Sequence, residues 1–273
     1  MSRIKTVFDV AREAGRKALI PYLVAGDPDR DTTVALMHQL VTDGADVIEL
    51  GVPFSDPSSD GAVIQLGAER ALRKGTGLET VFSIVSEFRQ RDTDTPVVLM
   101  GYLNPLERMG YERFVAGAAD AGVDGVLVVD LPVSEAASLL QLTRARDLDI
   151  IFLVAPTTTE KRLQSICEHS AGYIYYVSLK GVTGAAISDA GEIGERVRHL
   201  RSRTELPVVV GFGIKDEQSA RAMAAVSDGV IVGSALVEKI GELTGSGARD
   251  QVSVAASTAL IARLRRALDA SID

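Results

Sequence analysis

Glu49 lies in the middle of an apolar run, DVIELGV at 46–52, whose composition predicts a buried β-strand. Side chains of a strand alternate between its two faces, so Glu49 shares a face with Val47 and Gly51. If the residues between them face covering helices, Glu49 points into the interior of the fold, where burial raises the pKa of a carboxyl toward that of a general base. A structural glutamate paired with a buried Lys or Arg is the alternative. No neighbouring strand supplies an inward-facing cation, so we favour the functional interpretation.

The loop that follows, GVPFSDPSSDG at 51–61, carries a second candidate acid, Asp60. Acids and prolines in a loop are commonly turn chemistry, and Asp60 is suited to cap a helix that begins near Gly61. It is equally suited to contact a ligand that Glu49 also touches. The residues alone leave both interpretations open.

Three glycine-bearing loops have the composition of a phosphate site: GVTGA at 181–185, GFG at 211–213 and VGSA at 232–235. Each follows a strand candidate, and glycine lets backbone N–H groups approach an anion closely. A helix starting near Ser234 would add its N-terminal N–H groups, its dipole and a hydroxyl. The glycines of the first loop would also allow it to close as a lid.

Apolar and aromatic side chains on the strand candidates, or at their ends, have the size and chemistry to line a pocket for an aromatic ring. They are Tyr22, Met100, Tyr102, Leu127, Val129, Leu153 and Tyr175. The interiors of barrels are made of the same residue types, so simple packing is the alternative for most of them.

Other chemistries receive little support. His38, His169 and His199 lie in or at the ends of helical patterns and are not grouped with carboxylates, so no metal site is predicted. No lysine lies within a strand candidate, and Lys180 is expected to be a solvated loop residue, which argues against a Schiff-base aldolase. Cys167, the one cysteine, is expected to be a small buried hydrophobic residue.

Eight apolar runs, most of them rich in β-branched or aromatic residues, are predicted strands. They span 18–26, 46–52, 96–102, 125–131, 150–156, 173–179, 207–213 and 229–235. Amphipathic stretches separate them, with Asp31, Ser134 and Asp216 as predicted capping residues, an extra helix after Thr76, and a long closing helix QVSVAASTALIARLRRALDA. Near-continuous apolarity indicates parallel strands covered on both faces.

Eight strand-then-helix units without a linker predict one domain over 1–273. The expected architecture is α/β: a single (β/α)8 barrel with an extra N-terminal helix and additional helices. A partial internal repeat supports it, because Gly44-Ala45-Asp46, Gly122-Val123-Asp124 and Ser227-Asp228-Gly229 each end a helix and start a strand. A doubly wound sheet competes, but the chain lacks a nucleotide fingerprint. In such barrels the active site lies at the C-terminal ends of the strands, where the candidate residues are found.

Composition excludes several classes of protein. The chain is 46% hydrophobic and 24% charged with a net charge of −8, which supports one large core and argues against nucleic-acid or anionic-membrane partners. The N-terminal MSRIKTVFDVAREAG has no apolar core of a signal peptide, and no run approaches the ~18 apolar residues of a membrane span. With a single cysteine no intramolecular disulfide can form, and we expect a cytoplasmic protein.

Six motifs in this order resemble the α subunit of tryptophan synthase over nearly the whole chain. They are DVIELGVPFSDPSSDG (46–61), YLNP (102–105), LVVDLP (127–132), GVTGA (181–185), GFGI (211–214) and VGSA (232–235). The resemblance implies retro-aldol cleavage of indole-3-glycerol phosphate to indole and glyceraldehyde 3-phosphate, with Glu49 and Asp60 as the two catalytic acids.

The resemblance also implies the remaining contacts. Tyr175 corresponds to a residue near the substrate and Glu49, and Thr183 belongs to the loop expected to close over the substrate. The phosphate would be held by Gly184, Phe212, Gly213, Gly233 and Ser234. No metal or organic cofactor is implied for this chain, since pyridoxal phosphate belongs to the partner β subunit.

Asp56, Pro57 and Asn104 correspond to regions of the family that face the β subunit, which implies an α2β2 assembly with indole passed to the partner. The loop departs from the family pattern Pro-Leu-Ala-Asp-Gly-Pro, because Ser58, Ser59 and Ala62 stand where Leu, Ala and the second Pro are usual. A free-standing lyase and a non-catalytic activator of a β subunit are the alternatives, and the presence of both acids argues against the second.

Overall fold

The computed structural model describes residues 2–177, 190–211, 213–243 and 250–270. Four residues discussed above, Lys180, Thr183, Gly184 and Phe212, lie outside this set. Residues 178–179, the last two of a predicted strand, lie outside it as well.

The described residues form nine parallel strands, each a few residues shorter than the apolar run that predicted it. They are β1 Ala18–Val24, β2 Ile48–Gly51, β3 Val97–Gly101, β4 Gly125–Val128, β5 Asp149–Ile151, β6 Leu153–Val154, β7 Ile174–Val177, β8 Val208–Gly211 and β9 Gly229–Val232. Their order in the sheet is β5-β4-β3-β2-β1-β9-β8-β7-β6. Since β5 and β6 are two parts of one chain segment separated by Phe152, the sheet closes into an eight-stranded barrel. The predicted (β/α)8 fold is confirmed.

Twelve α-helices and one short 3-10 helix, Val133–Glu135, accompany these strands in the described part of the chain. The α-helices are α1 Arg3–Glu13, α2 Arg30–Thr42, α3 Ala62–Arg73, α4 Leu78–Arg89, α5 Leu103–Met109, α6 Tyr111–Ala121, α7 Ala137–Arg144, α8 Glu160–His169, α9 Ala190–Arg201, α10 Glu217–Ala224, α11 Ser234–Gly241 and α12 Gln251–Asp269. The extra helix expected after Thr76 is α4, and the long closing helix is α12. Among the described residues, no helix combines the length and apolarity required to cross a lipid bilayer.

Two of the three predicted helix caps are wrong. Helix α2 is capped by Asp29, whose side chain accepts from the N–H of Thr32, so Asp31 lies inside the first turn. Ser134 lies within the 3-10 helix, and α7 begins after Ala136 without a side-chain cap. Asp216 does cap α10 and forms a capping box with Ser219. Two acids so close in sequence fit the same capping pattern, and only the backbone geometry selects Asp29.

The repeated aspartates have a common structural role at the N-terminal end of the barrel. Asp46, Asp124 and Asp228 each donate their N–H to a carbonyl of the adjacent strand, at Leu19, Val97 and Val208, over 2.9 Å. Each carboxylate then accepts the N–H of that same residue at 2.8 Å. Each also pairs with an arginine, Arg265, Arg89 and Arg201 respectively. These reciprocal bonds tie neighbouring strands together where the barrel begins.

Apolar side chains form two layers because alternate residues of each strand face opposite sides of the sheet. The outer layer packs between the strands and the helices, while the inner one fills the barrel. Helix α1 closes the barrel at its N-terminal end. Its Ile4 and Phe8 are buried in the inner layer, and the Phe8 ring lies 5.7 Å from that of Tyr173.

Replacing Phe8 by alanine should lower the free energy of unfolding by about 3–5 kcal/mol, because it leaves a cavity at the closed end of the barrel. Urea denaturation followed by circular dichroism measures this. Val10 on the same helix is 55% exposed, so V10A should change the free energy by no more than about 0.5 kcal/mol. Equal effects of the two substitutions would show that α1 does not close the barrel.

Candidate active site

Glu49 lies on β2 in register with Tyr22 of β1 and Val98 of β3, and its side chain faces the barrel interior as predicted from strand alternation. It is fully buried, with 0% of its surface exposed. The Tyr173 hydroxyl donates a hydrogen bond of 2.5 Å to Oε1, while Oε2 is buried without a hydrogen-bond partner. One carboxylate oxygen is therefore held and the other is unoccupied by any described protein group.

Burial without a cation dominates the electrostatics of this carboxyl. Desolvation raises the pKa of Glu49 to about 7, against a smaller lowering by the Tyr173 hydrogen bond. No described Lys or Arg forms an ion pair with Glu49, so the structural alternative of a paired glutamate is not found. At neutral pH the protonated and ionised forms are both populated, as acid–base catalysis requires.

Asp60 does not act as a helix cap. Helix α3 begins at Ala62 with Gly61 as its N-cap and receives no side-chain hydrogen bond. The Asp60 carboxylate instead hydrogen-bonds the hydroxyl of Tyr102, and burial raises its pKa to about 6 despite that bond. The second of the two interpretations left open by the sequence, a side chain available to a ligand, agrees with this geometry.

Tyr102 holds the loop that carries Asp60. Its hydroxyl accepts the Ser59 N–H at 3.1 Å, and its ring lies 5.5 Å from the ring of Phe54. Within the loop, the Asp60 N–H donates to the Pro57 carbonyl. These contacts involve backbone groups and the Phe54 ring. They therefore do not depend on the Leu, Ala and Pro that the family pattern has at positions 58, 59 and 62.

Tyr22 and Tyr175 connect the two acids. Burial raises the pKa of both phenols well above the ordinary value, and the negative charges of Glu49 and Asp60 raise it further. Both carboxyls therefore lie within electrostatic reach of the same two rings, on one site at the C-terminal end of the barrel.

Two glycines at strand ends make room for these rings. A Cβ added to Gly51 would lie 2.2 Å from the Tyr22 hydroxyl, and one added to Gly211 would lie 2.1 Å from the Tyr175 hydroxyl. The sequence pattern assigned Gly211 to a phosphate loop, whereas the structure gives it a packing role. The requirement arises from a side chain on a neighbouring strand, which spacing along the chain cannot reveal.

Of the described phosphate candidates, Gly233 lies beside Tyr22 of this site. Gly233 is the N-cap of α11, and a Cβ added to it would lie 3.9 Å from the side chains of Tyr22 and Ile64. Ser234 is the exposed first residue of that helix. The first turn of α11 starts here, and the first N–H groups of a helix have no partner within the helix and suit an anion. Gly213 is exposed and has a positive φ of 53°, a conformation suited to glycine.

The predicted pocket residues divide into floor and wall. Leu127 is fully buried in the inner layer, which makes it part of the floor. Met100, Val129 and Leu153 are half-buried and pack against that layer. Sequence reasoning missed Tyr173, although its parity with Tyr175 on β7 placed it inward, and also missed Ile64, which reaches the layer from α3.

The histidines are only partly as expected. His38 is half-buried against the Phe88 ring at 4.8 Å, and the His169 ring nitrogen contacts the Ser165 carbonyl. His199 contradicts the expectation, because its Nε2 lies 2.9 Å from Glu160 across two surface helices. Among the described residues no cluster of three or more metal-ligating side chains converges. Cys167 is half-buried.

The candidate partner-facing residues lie on the outer rim of the same end of the barrel. Asp56 and Asn104 are exposed and Pro57 is half-buried. The carboxylate of Asp130, which follows β4, accepts the N–H of Leu103 at 2.7 Å and fixes the start of α5. Tyr102 directly precedes Leu103 and also contacts Ser59. It therefore connects the loop between β2 and α3 with the start of α5.

A closed (β/α)8 barrel with a buried, unpaired carboxyl and a second acid at the C-terminal ends of its strands defines a barrel enzyme of the acid–base type. The family profile described as tryptophan synthase alpha chain matches residues 8–267. A relative from Marinobacter nauticus, named tryptophan synthase alpha chain, is 61% identical over 240 residues, covering 88% of this chain and 89% of the relative.

Solved structures agree. Tryptophan synthase subunit alpha from Legionella pneumophila str. Paris superposes with a TM-score of 0.91 at 42% identity, covering 99% of both chains. A chain of the tryptophan synthase complex from Pyrococcus furiosus gives a TM-score of 0.81 at 37% identity, covering 91% of this chain and 98% of that one. This chain belongs to the tryptophan synthase alpha chain family, whose members cleave indole-3-glycerol phosphate in a lyase reaction. The resemblance drawn from the six motifs is confirmed.

The buried carboxyl predicts a pH-dependent stability. Because folding raises the pKa of Glu49 from 4.5 to about 7, the folded state binds more protons between these values and loses stability as the pH rises through them. Glu49→Gln removes this loss, so its stability relative to the wild type should rise by about 2–3 kcal/mol from pH 4.5 to pH 8. Urea titrations at a series of pH values measure the difference.

Glu69→Gln, at an exposed carboxylate of α3 paired with Arg73, is the matched control. Its effect should stay within about 0.5 kcal/mol at every pH. A pH-independent difference between wild type and Glu49→Gln would contradict the assignment of a raised pKa to Glu49.

Proposed function

We propose that this chain cleaves indole-3-glycerol phosphate to indole and glyceraldehyde 3-phosphate, with Glu49 as the proton shuttle. The observation that carries the proposal is the fully buried Glu49 carboxyl with one oxygen held by Tyr173 and the other unpartnered. Family membership supports the reaction, and the geometry supports the role of the residue.

The cleavage needs two proton transfers, one from Glu49 and one back to it, so Glu49 ends in its starting protonation state. Protonated Glu49 gives its proton to indole C3, which leaves a positive charge on the ring. The resulting carboxylate takes the proton of the hydroxyl next to the scissile bond; a carbonyl forms there, the carbon–carbon bond breaks, and its electron pair returns to the ring to give indole. A pKa of about 7 permits both transfers at neutral pH, and the unpartnered Oε2 is the oxygen available for them.

Asp60 stabilises the intermediate charge. Its carboxylate accepts a hydrogen bond from the indole N–H, which becomes more acidic when C3 is protonated. Asp60 must be ionised for this, and a pKa of about 6 keeps most of it ionised at pH 7 and above. The two acids thus have different tasks that agree with their different pKa values.

Binding fixes both ends of the substrate. The indole ring lies against the half-buried wall and the rings of Tyr22, Tyr102 and Tyr175, while the phosphate is held by Gly213, Gly233, Ser234 and the N–H groups of α11. Thr183, Gly184 and Phe212, outside the described residues, complete the contacts in this proposal. Orientation of the scissile bond between the two acids then lowers the entropic part of the barrier.

The proposed steps are proton transfers and charge stabilisation, so the chain requires no metal or organic cofactor of its own. Pyridoxal phosphate is expected in the β subunit alone. A cytoplasmic location and one domain over 1–273 complete the proposal.

Glu49→Gln should lower the rate of indole release by roughly 10²–10⁴-fold, because the amide cannot transfer the proton. The assay follows indole formed from indole-3-glycerol phosphate by the purified chain. Glu69→Gln should retain wild-type activity, and circular dichroism establishes that both variants are folded. A rate for Glu49→Gln equal to that of the wild type would refute the mechanism.

We further propose an α2β2 assembly with a β subunit. The related Pyrococcus furiosus chain belongs to a tryptophan synthase complex, and exposed Asp56 and Asn104 lie on the rim around the site. Passing indole to a partner at this rim would avoid its loss to solvent.

Adding β subunit should raise the rate of indole release, by roughly 5–150-fold for a coupling of ordinary size. Titrating the chain with β subunit under saturating substrate measures the stimulation. Asp56→Ala, on the exposed loop tip, should weaken it, whereas the exposed Glu69→Gln should not. An unchanged rate at saturating β subunit would favour the free-standing lyase instead.

A further inference from the structure

Tyr102 contacts three residues of the loop between β2 and α3. Its hydroxyl accepts the Ser59 N–H at 3.1 Å and hydrogen-bonds the Asp60 carboxylate, and its ring packs on Phe54. We propose that Tyr102 is a positioning residue for Asp60: its hydroxyl aims the carboxylate at the indole N–H. The inference rests on the proposed function for the task of Asp60, and goes beyond the wall role that the sequence assigned to Tyr102.

The direction of the hydrogen bonds follows from the groups involved. The Ser59 N–H can only donate, so it occupies a lone pair of the phenol oxygen. The Ser59 side chain also hydrogen-bonds this oxygen. The ionised Asp60 carboxylate has no proton to donate, so it accepts the hydroxyl proton. Burial and the charge of Asp60 raise the pKa of Tyr102 to about 12, so the phenol keeps this proton over the whole working range.

Tyr102 is itself fixed from three sides, as a positioning group must be. Only 3% of its surface is exposed, and it is the N-cap of α5. The next residue, Leu103, donates its N–H to Asp130 at 2.7 Å. A hydroxyl on such a fixed support can hold the Ser59–Asp60 part of the loop at little cost in entropy.

The described groups that face Asp60 are three phenols: Tyr22 from β1, Tyr102 ahead of α5, and Tyr175 from β7. Burial raises the pKa of all three, so they stay neutral between pH 5 and pH 9. Among the described residues, the Tyr102 bond is the one interaction that lowers the pKa of Asp60 against its desolvation. Removing it should therefore raise the pKa of Asp60 above that of the wild type.

The experiment compares wild type with Y102F, which removes one oxygen and keeps the ring on Phe54. The pKa of Asp60 is read from its ¹³C carboxyl signal, assigned by its absence in Asp60→Asn. The pKa should rise by about one unit in Y102F. Y111F, which removes a hydroxyl bonded to Glu107 on the surface, is the matched control and should leave it unchanged.

The activity readout is kcat/KM for indole release between pH 6 and pH 8.5. Y102F should be about tenfold slower at pH 7, since a hydrogen bond to a charged group is lost, and its deficit should grow as the pH falls. A deficit that is the same at every pH, or an unchanged Asp60 pKa in folded Y102F, would overturn the proposal and leave Tyr102 as a wall of the pocket.

The two proposals fail in different ways. A wild-type chain that releases no indole would refute the proposed function, while the carboxyl titration would still decide whether Tyr102 holds Asp60. A wild-type chain that releases indole, combined with a Y102F pKa equal to that of the wild type, would refute this inference alone. Should Y102F fail to fold, amide exchange at Ser59 in Asp60→Ala, which removes the acceptor of the Tyr102 hydroxyl, supplies the test. Faster exchange of the Ser59 amide than in the wild type would support one Tyr102 hydroxyl bonded to both Ser59 and Asp60. An unchanged exchange rate would overturn the proposal.

Discussion

The desolvation of one carboxyl group inside a closed barrel is the constraint around which the site is arranged. Glu49 has no exposed surface and no cationic partner among the described residues, and Tyr173 supplies its one hydrogen bond. Such burial costs folding free energy at neutral pH and raises the pKa of the acid to about 7. Burial of the apolar side chains in the two layers of the barrel offsets this unfavourable free energy.

The two ends of the barrel treat buried acids in opposite ways. At the N-terminal end, Asp46, Asp124 and Asp228 each receive a backbone N–H and an arginine, so their charges are satisfied and bind strand to strand. At the C-terminal end, the Tyr173 phenol is the one hydrogen-bond partner of Glu49 within the described part of the chain. Stability is concentrated where the strands begin and reactivity where they end, which is the usual division in this fold.

Tyrosine hydroxyls lower the pKa values of the two acids of the site against their desolvation, whereas arginines pair with the aspartates at the N-terminal end. A phenol donates a hydrogen bond without adding a charge, so it lowers the pKa of a buried acid only partly. Tyr173 does this for Glu49 and Tyr102 for Asp60, leaving pKa values of about 7 and about 6. Gly51 and Gly211 provide the space in which Tyr22 and Tyr175 pack between the two acids.

Strand alternation and apolar composition determined a great deal from the sequence by itself: eight strand positions, the barrel, and the inward face of Glu49. These follow from local periodicity, which depends only on neighbours along the chain. The six motifs also gave the family, and the glycine-bearing strand ends gave the end of the barrel at which to look. The cap of α2 is Asp29 and not Asp31, because two nearby acids have the same capping chemistry. Helix α7 starts at Ala137 without a side-chain cap, since Ser134 lies in a 3-10 helix that sequence periodicity did not predict.

Tertiary structure alone decided the contacts between distant segments. Whether Asp60 caps a helix or faces the site depended on Tyr102, which is 42 positions further along the chain. The donor to Glu49 is Tyr173, which directly precedes β7 across the barrel, and the role of Gly211 comes from Tyr175 on the adjacent strand. A pKa depends on every group around a carboxyl and on the exclusion of water from it. The sequence therefore identified Glu49 as an acid in an apolar strand, and only the closed barrel made it a buried acid with one free oxygen.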